Sequence, residues 1–359
     1  MKVAFVVGAR PNFIKLLPLL DARPMSSVEK LIIDTGQHYD YELSKVFFDE
    51  LKIPEPDYYL GVGSGTHGYQ VGEMLKRTEE VLLKERPSIV VVFGDTNSTL
   101  AGALAAVKIR IPVAHVEAGV RSYEEFMPEE INRVLVDHMS ALLFAPTERA
   151  LMNLSKEGLS EKSYLTGDVM LDLVIRFSDR ITGESEILSS LNLRPKEYVL
   201  VTIHRAENTD NKERLTNIFK ALIEVKQPIV FPAHPRTIKS LEKYSLLREV
   251  EGSSIRMIKP VSYLTMLRLE KNAKKIVTDS GGVQKEAYFF RVPCITLRER
   301  TEWMETVEDG WNVLVGANRM KIVQAIKDFE GGGETYTHKF GNGRASERIC
   351  EILFKFFHK

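Results

Sequence analysis

Three acidic positions stand where a strand-like pattern gives way to a turn or a helix start. Asp95 lies in FGDTNST (93–99), Glu117 in HVEAGVRS (115–122), and Glu129 with Glu130 opens a helical pattern in FMPEEINR (126–133). Carboxylates gathered at one sheet edge suit proton transfer at carbon, where one group takes a proton and another returns it. Each also has a plainer structural reading. Asp95 can cap the following helix, and Glu129 can complement the helix dipole and pair with Arg133 four residues on.

A second set of residues suits an anion. In GARPNFIK (8–15) a turn leads to a helix start, with Pro11 in its first turn and Arg10 and Lys15 as added cations. Backbone amides at such a start, with cations beside them, form a phosphate site. DSGGVQKEA (279–287) repeats the idea: Ser280, Gly281 and Gly282 open a helix, and Glu286 further along can accept from ribose hydroxyls. The alternative there is a Ser cap on an ordinary helix with Glu286 on a wet face. His204 and Arg205 in HRAEN, and His234 and Arg236 in AHPR, follow strands and can donate to phosphate oxygens.

These residues need elements to place them. Short β-branched runs at 2–7, 30–34, 88–93, 111–116, 142–145 and 163–166 alternate with helical patterns, and a second series runs through 198–203, 228–232, 255–258, 275–278 and 292–297. Helices are predicted at 96–109, 147–157, 211–226 and 317–329, among others. Such alternation implies βαβ units and parallel sheets, hence an α/β protein. A polar stretch near 168–196 divides the two series. The expected domains are 1–168 joined by a C-terminal helix over 343–359, and 169–342. That helix should bury Ile349, Ile352, Leu353 and Phe356 after a loop at 331–342. Ligands of open parallel sheets bind beyond the strands' carboxyl ends, so two such sheets facing a central cleft would share one site.

The chain's 359 residues suit two domains. Lys+Arg and Asp+Glu both total 49, so nothing argues for a nucleic-acid or membrane-surface partner, and an anionic ligand must be held by a local cluster of donors. Cys294 and Cys350 make no disulfide framework and no metal spacing; Cys294 reads as a buried thiol in a strand. The opening apolar run is too short for a signal peptide, and no stretch is long enough to span a membrane. A cytoplasmic protein without a metal is expected. No dinucleotide or P-loop fingerprint is present, so no cofactor is expected.

Taken together, GARPNFIK, TGQHYD, FGDTNST, HVEAGVRS, MPEEINR, HRAEN, DSGGVQKEA, TEWMET (301–306) and GWNVLVG (310–316) resemble the non-hydrolysing UDP-N-acetylglucosamine 2-epimerases over nearly the whole chain. The resemblance implies two Rossmann-like domains of the glycosyltransferase-B type, a homodimer, and UDP held mainly by the second domain. It implies Asp95, Glu117 and Glu129 as acid/base carboxylates and His204 as a catalytic-site histidine near the diphosphate. It further implies Arg10, Ser280, Gly281, Gly282 and Glu286 at UDP, and Arg133 near the sugar diphosphate.

The chemistry agrees. The C2 proton of a nucleotide sugar is not next to a carbonyl, so simple removal and return is blocked. Breaking the anomeric C–O bond as a base takes that proton expels UDP and leaves a 2-acetamidoglucal; UDP then adds back with protonation on the other face. This needs a base, an acid on the opposite face, and cations on the leaving diphosphate. The chain departs from the family pattern at Tyr39 and Ala206, where basic residues that bind an activating second substrate are expected, and at Trp303 near the sugar pocket. Other readings follow: epimerisation of a modified sugar such as a diacetamido uronate, a glycosyltransferase on the same architecture, a hydrolysing epimerase, or a nucleotide-sugar sensor.

Overall fold

The computed structural model describes residues 1–23, 25, 28–37, 50–182, 186–332 and 338–357. Tyr39 and most of QHYDYE lie outside these residues, as do 333–337 of the expected loop and the last two residues of the expected terminal helix.

Among the described residues the first series of six apolar runs, with a short added strand at Tyr58–Tyr59, forms seven strands: β1 (Lys2–Val7), β2 (Glu29–Asp34), β3 (Tyr58–Tyr59), β4 (Ile89–Phe93), β5 (Val113–Val116), β6 (Leu142–Ala145) and β7 (Ser163–Leu165). All pair in parallel, in the order β3-β2-β1-β4-β5-β6-β7. Helices α1 (Arg10–Asp21), α2 (His67–Glu85), α3 (Asn97–Lys108), α4 (Pro128–Met139), α5 (Glu148–Lys156) and α6 (Val169–Arg176) connect or follow them. With helices on both faces, central strands have no wet side, which is why IVVVF and VAHV are buried throughout.

Among the described residues the second series of five runs, with a short added strand at Asn312–Leu314, gives six parallel strands, β8 (Val199–Thr202), β9 (Ile229–Pro232), β10 (Ile255–Ile258), β11 (Lys275–Thr278), β12 (Cys294–Thr296) and β13 (Asn312–Leu314), ordered β10-β9-β8-β11-β12-β13. Its main helices are α7 (Lys212–Glu224), α8 (Pro235–Lys243), α9 (Tyr263–Asn272), α10 (Gly281–Phe289) and α11 (Arg319–Asp328). The protein is thus α/β with two parallel sheets. The chain divides into one unit of Met1–Arg176 with His338–Lys359 and a second of Phe177–Thr337.

α2 shows how sequence becomes packing. Thr66 caps it by accepting from the Tyr69 amide, Arg86 ends it in the left-handed region, and Gln70, Met74, Thr78, Val81 and Leu82 make its buried stripe. It packs on α3, where Ala101 clusters with Met74, while Gly102 of α3 leaves room for Val6 of β1, which a Cβ there would meet at 2.8 Å.

The last helix, α12 (Ala345–Phe357), packs on α1 and α6, and Asp172 of α6 accepts from the Ala345 and Ser346 amides at 3.0 and 2.7 Å. Its buried face is Ala345, Ser346, Ile349, Cys350 and Leu353. The expected face is corrected at its end: Phe356 is exposed and Ile352 only half-buried. Two short edge strands, β3 and β13, were not anticipated. Cys294 is buried in β12, and burial pushes its thiol up to about 12. Among the described residues no helix is long and apolar enough to cross a membrane, and no cluster of His, Cys, Asp or Glu is placed to hold a metal.

Candidate functional site

In each sheet the strand order reverses direction once, between β1 and β4 in the first unit and between β8 and β11 in the second. A crevice opens beyond the strand ends at such a point. Arg10 follows β1, Asp95 follows β4, His204 and Arg205 follow β8, and Ser280 follows β11.

In the first unit the β4 and β5 ends carry two ion-paired carboxylates. Glu117 bonds the Lys15 ammonium at 2.6 Å, both side chains being less than one-tenth exposed. Glu117 itself has a φ of 71°, a left-handed conformation that costs a non-glycine residue about 1–2 kcal/mol and recurs at functional sites. Gly94 makes room for the pair: its φ is +61°, and a Cβ there would meet the Lys15 Nζ at 2.6 Å.

Asp95 bonds Arg133 of α4 directly. It does not cap α3; Thr96 does, accepting from the Thr99 amide at 3.3 Å. The expected pairing of Glu129 with Arg133 is also corrected. Arg133 bonds Glu130 at 3.0 Å, one turn earlier on the same helix, while Glu129 is half-buried at the α4 start. Glu130 accepts from the Ser122 and Tyr123 amides, each at 2.9 Å, so it fastens the loop after Glu117. Lys15, expected to meet an anion at the α1 start, lies on Glu117, whereas Arg10 remains exposed at that start.

Two buried residues that the strand-end reading did not single out hold this arrangement. Asn12 accepts from the Ala9 amide at 3.1 Å and donates to the Phe93 carbonyl at 2.9 Å, joining the β1 turn to the β4 end. His115 bridges two groups, its Nδ1 lying 2.7 Å from Asp137 of α4 and its Nε2 2.7 Å from the Gly94 carbonyl. It thereby links the strand of Glu117, the turn of Asp95 and the helix of Glu129. Burial pushes the Asp137 carboxyl up, but His115 and Arg121 outweigh it and hold the group below the usual range.

In the second unit the organiser is Asp279. Fully buried, it accepts from the His204 and Arg205 amides at 3.0–3.1 Å and from Asn208 Nδ2 at 3.1 Å, which shapes the HRAEN turn. The His204 ring is partly exposed and lies 5.9 Å from that of His234. His234 caps α8, its Nδ1 accepting the Arg236 amide at 3.1 Å; this leaves the proton, hence a donor, on Nε2. Arg236 is held by Asp210 at 2.6 Å, and Arg205 lies 3.6 Å from Glu302.

Ser280 caps α10 through Val283, and Gly281 and Gly282 supply the first two amides, the donors a helix start leaves unmatched. A Cβ on Gly281 would meet Glu302 Oε1 at 2.5 Å and Trp303 Nε1 at 3.2 Å. The close approach that Gly281 permits is therefore made in part by the chain itself. Trp303 is buried, with the Lys285 ammonium 4.1 Å above its ring. The wet-face reading of Glu286 is overturned: it is 4% exposed and accepts from the Tyr263 hydroxyl at 2.7 Å.

Residues 21–354 match the family described as UDP-N-acetylglucosamine 2-epimerase. The chain belongs to that family. It is 56% identical over 355 residues to a UDP-N-acetylglucosamine 2-epimerase homolog of Methanococcus maripaludis, covering 98% of this chain and 99% of the relative. It is 46% identical over 367 residues to the UDP-2,3-diacetamido-2,3-dideoxy-D-glucuronate 2-epimerase of Pseudomonas aeruginosa, covering 99% and 100%. Its fold superposes with a TM-score of 0.93 on the crystal structure of Methanocaldococcus jannaschii UDP-GlcNAc 2-epimerase in complex with UDP-GlcNAc and UDP, at 48% identity and 99% and 100% coverage. As a member of an epimerase family the chain is an isomerase.

Proposed function

We propose that the chain interconverts UDP-N-acetylglucosamine and UDP-N-acetylmannosamine without a cofactor and without releasing a free sugar. The observation that carries this reading is the pair of carboxylates at neighbouring strand ends, Asp95 and Glu117, each bonded to a cation. One of them takes the C2 proton as the anomeric C–O bond breaks. The electron pair forms the C1–C2 double bond of a 2-acetamidoglucal, and UDP leaves with the bonding electrons. In the return, the diphosphate oxygen attacks C1 while a carboxyl delivers a proton to the opposite face of C2. Glu129, half-buried at the α4 start, completes the acid/base set.

The remaining residues hold the nucleotide. Ser280 with the Gly281 and Gly282 amides, Arg10 and His204 meet the charge that develops on the leaving diphosphate. Arg205 and the Nε2 donor of His234 supplement them, and Glu286 accepts from the ribose. Arg133 reaches the sugar diphosphate while holding Asp95, and Lys15 serves mainly to hold Glu117 in place.

A second substrate reading has its own support. The Pseudomonas relative is named for a diacetamido uronate, and Trp303 stands beside the Gly281 turn. Turnover of UDP-N-acetylglucosamine and of UDP-2,3-diacetamido-2,3-dideoxy-glucuronate, followed separately by NMR, decides between them. The expected result is a kcat/KM at least about tenfold higher for the first, a margin of about 1.4 kcal/mol. Turnover of the uronate alone would overturn the substrate assignment, and free N-acetylmannosamine as first product would overturn the non-hydrolysing one.

A further inference from the structure

Glu270, on α9 of the second unit, is fully buried, and among the described residues no donor hydrogen-bonds either carboxyl oxygen. The group it faces is another carboxylate, Glu286 of α10. Glu286 is buried too, and its Oε1 accepts from the Tyr263 hydroxyl at 2.7 Å. Tyr198, just before β8, and Cys294 on β12 also feel the Glu270 charge. Tyr198 donates its hydroxyl to the Leu269 carbonyl at 2.6 Å. Two buried lysines of the same unit have partners of their own: Lys275 of β11 bonds the Lys327 carbonyl and Glu330, and Lys285 lies over the Trp303 ring.

Two carboxyl groups in contact in a dry interior cannot both be charged, so one keeps a proton and shares it with the other. Glu286 already has a donor in Tyr263 and sits in the helix that starts at the Ser280 turn. Glu270 has no other donor.

We propose that Glu270 is a positioning residue for nucleotide binding: it donates a carboxyl O–H to Glu286 and fixes that carboxylate as acceptor for the ribose hydroxyls. This rests on the reading in which Glu286 holds the ribose. Burial, followed by the charge and contact of Glu286, pushes the Glu270 carboxyl well above the usual range, in keeping with a proton held at neutral pH. The sign follows. The bound-competent arrangement carries one more proton than its deprotonated form, so UDP affinity is full at neutral pH and falls as pH rises through the Glu270 titration.

The test is calorimetric titration of the full chain with UDP, 2′-deoxy-UDP and 3′-deoxy-UDP, from neutral to alkaline pH. Wild type should prefer UDP over at least one deoxy analogue by about tenfold, the scale of a hydrogen bond to a charged group. Glu270→Gln, which keeps a donor and cannot ionise, should retain that preference and lose the alkaline decline. Glu270→Met, which removes the donor, should weaken UDP by about tenfold and the deoxy analogue much less. A merely structural role would weaken all three ligands alike and overturn the proposal. So would an alkaline decline that persists in Glu270→Gln, a result that stands even if Glu270→Met fails to fold. If wild type shows no preference for UDP over either analogue while still binding it, the ribose role of Glu286 falls, and this proposal with it.

Discussion

Glu117→Gln and Asp95→Asn should each lower kcat for epimerisation by about 10²–10⁴-fold, the range that a positioned proton-transfer group supplies. UDP affinity should stay within about threefold of wild type, a change of only about 0.7 kcal/mol. Both amides keep the size of the carboxyl and a carbonyl oxygen for the facing cation, Lys15 or Arg133, but neither can take or deliver the proton at C2. The effect should fall on kcat rather than KM, because the lost interaction is made only as the C–H bond breaks. Steady-state rates on UDP-N-acetylglucosamine with calorimetric UDP binding separate the two quantities. Loss of UDP binding in both variants would contradict the roles given to these residues, and so would near-normal kcat in either.

Lys15→Met should destabilise the first unit by about 3–5 kcal/mol, because it leaves the Glu117 carboxylate buried without its cation. Methionine fills much the same volume along the aliphatic stem, so the loss is electrostatic rather than a cavity. In thermal unfolding this corresponds to a drop on the order of 10 °C for a unit of this size. The double variant Lys15→Met/Glu117→Gln should recover much of the loss, since a neutral amide tolerates burial better than a carboxylate that has lost the Lys15 ammonium. A single variant within about 0.5 kcal/mol of wild type would mean that the pair is hydrated rather than buried.

Much of this architecture is legible in the residues. Runs such as KVAFVV and SIVVVF are too short and too β-branched for buried helices, and their regular alternation with helical patterns announces parallel sheets. Asp95, Glu117 and His204 stand out because each closes such a run, and strand ends are where an open sheet binds ligands. What escapes this reading is pairing across the chain. Asp279 shapes a turn some 75 residues before it, and His115 joins Asp137 from 22 residues away; neither link leaves a periodic mark. Register on a single helix turn is equally hidden: adjacent Glu129 and Glu130 differ only in which one faces Arg133 and the Ser122 loop. β3 and β13, with two and three residues, are too short to show a period, and Phe356 fits the apolar stripe of α12 yet lies exposed in its last turn.

If C2 is inverted through elimination and re-addition of UDP, as proposed, solvent deuterium must enter at that carbon. Purified protein with UDP-N-acetylglucosamine in deuterated water, without added cofactor, should give UDP-N-acetylmannosamine with deuterium at C2 in both sugars. Inversion with the original C2 proton retained, or only on addition of a nicotinamide cofactor, would contradict it.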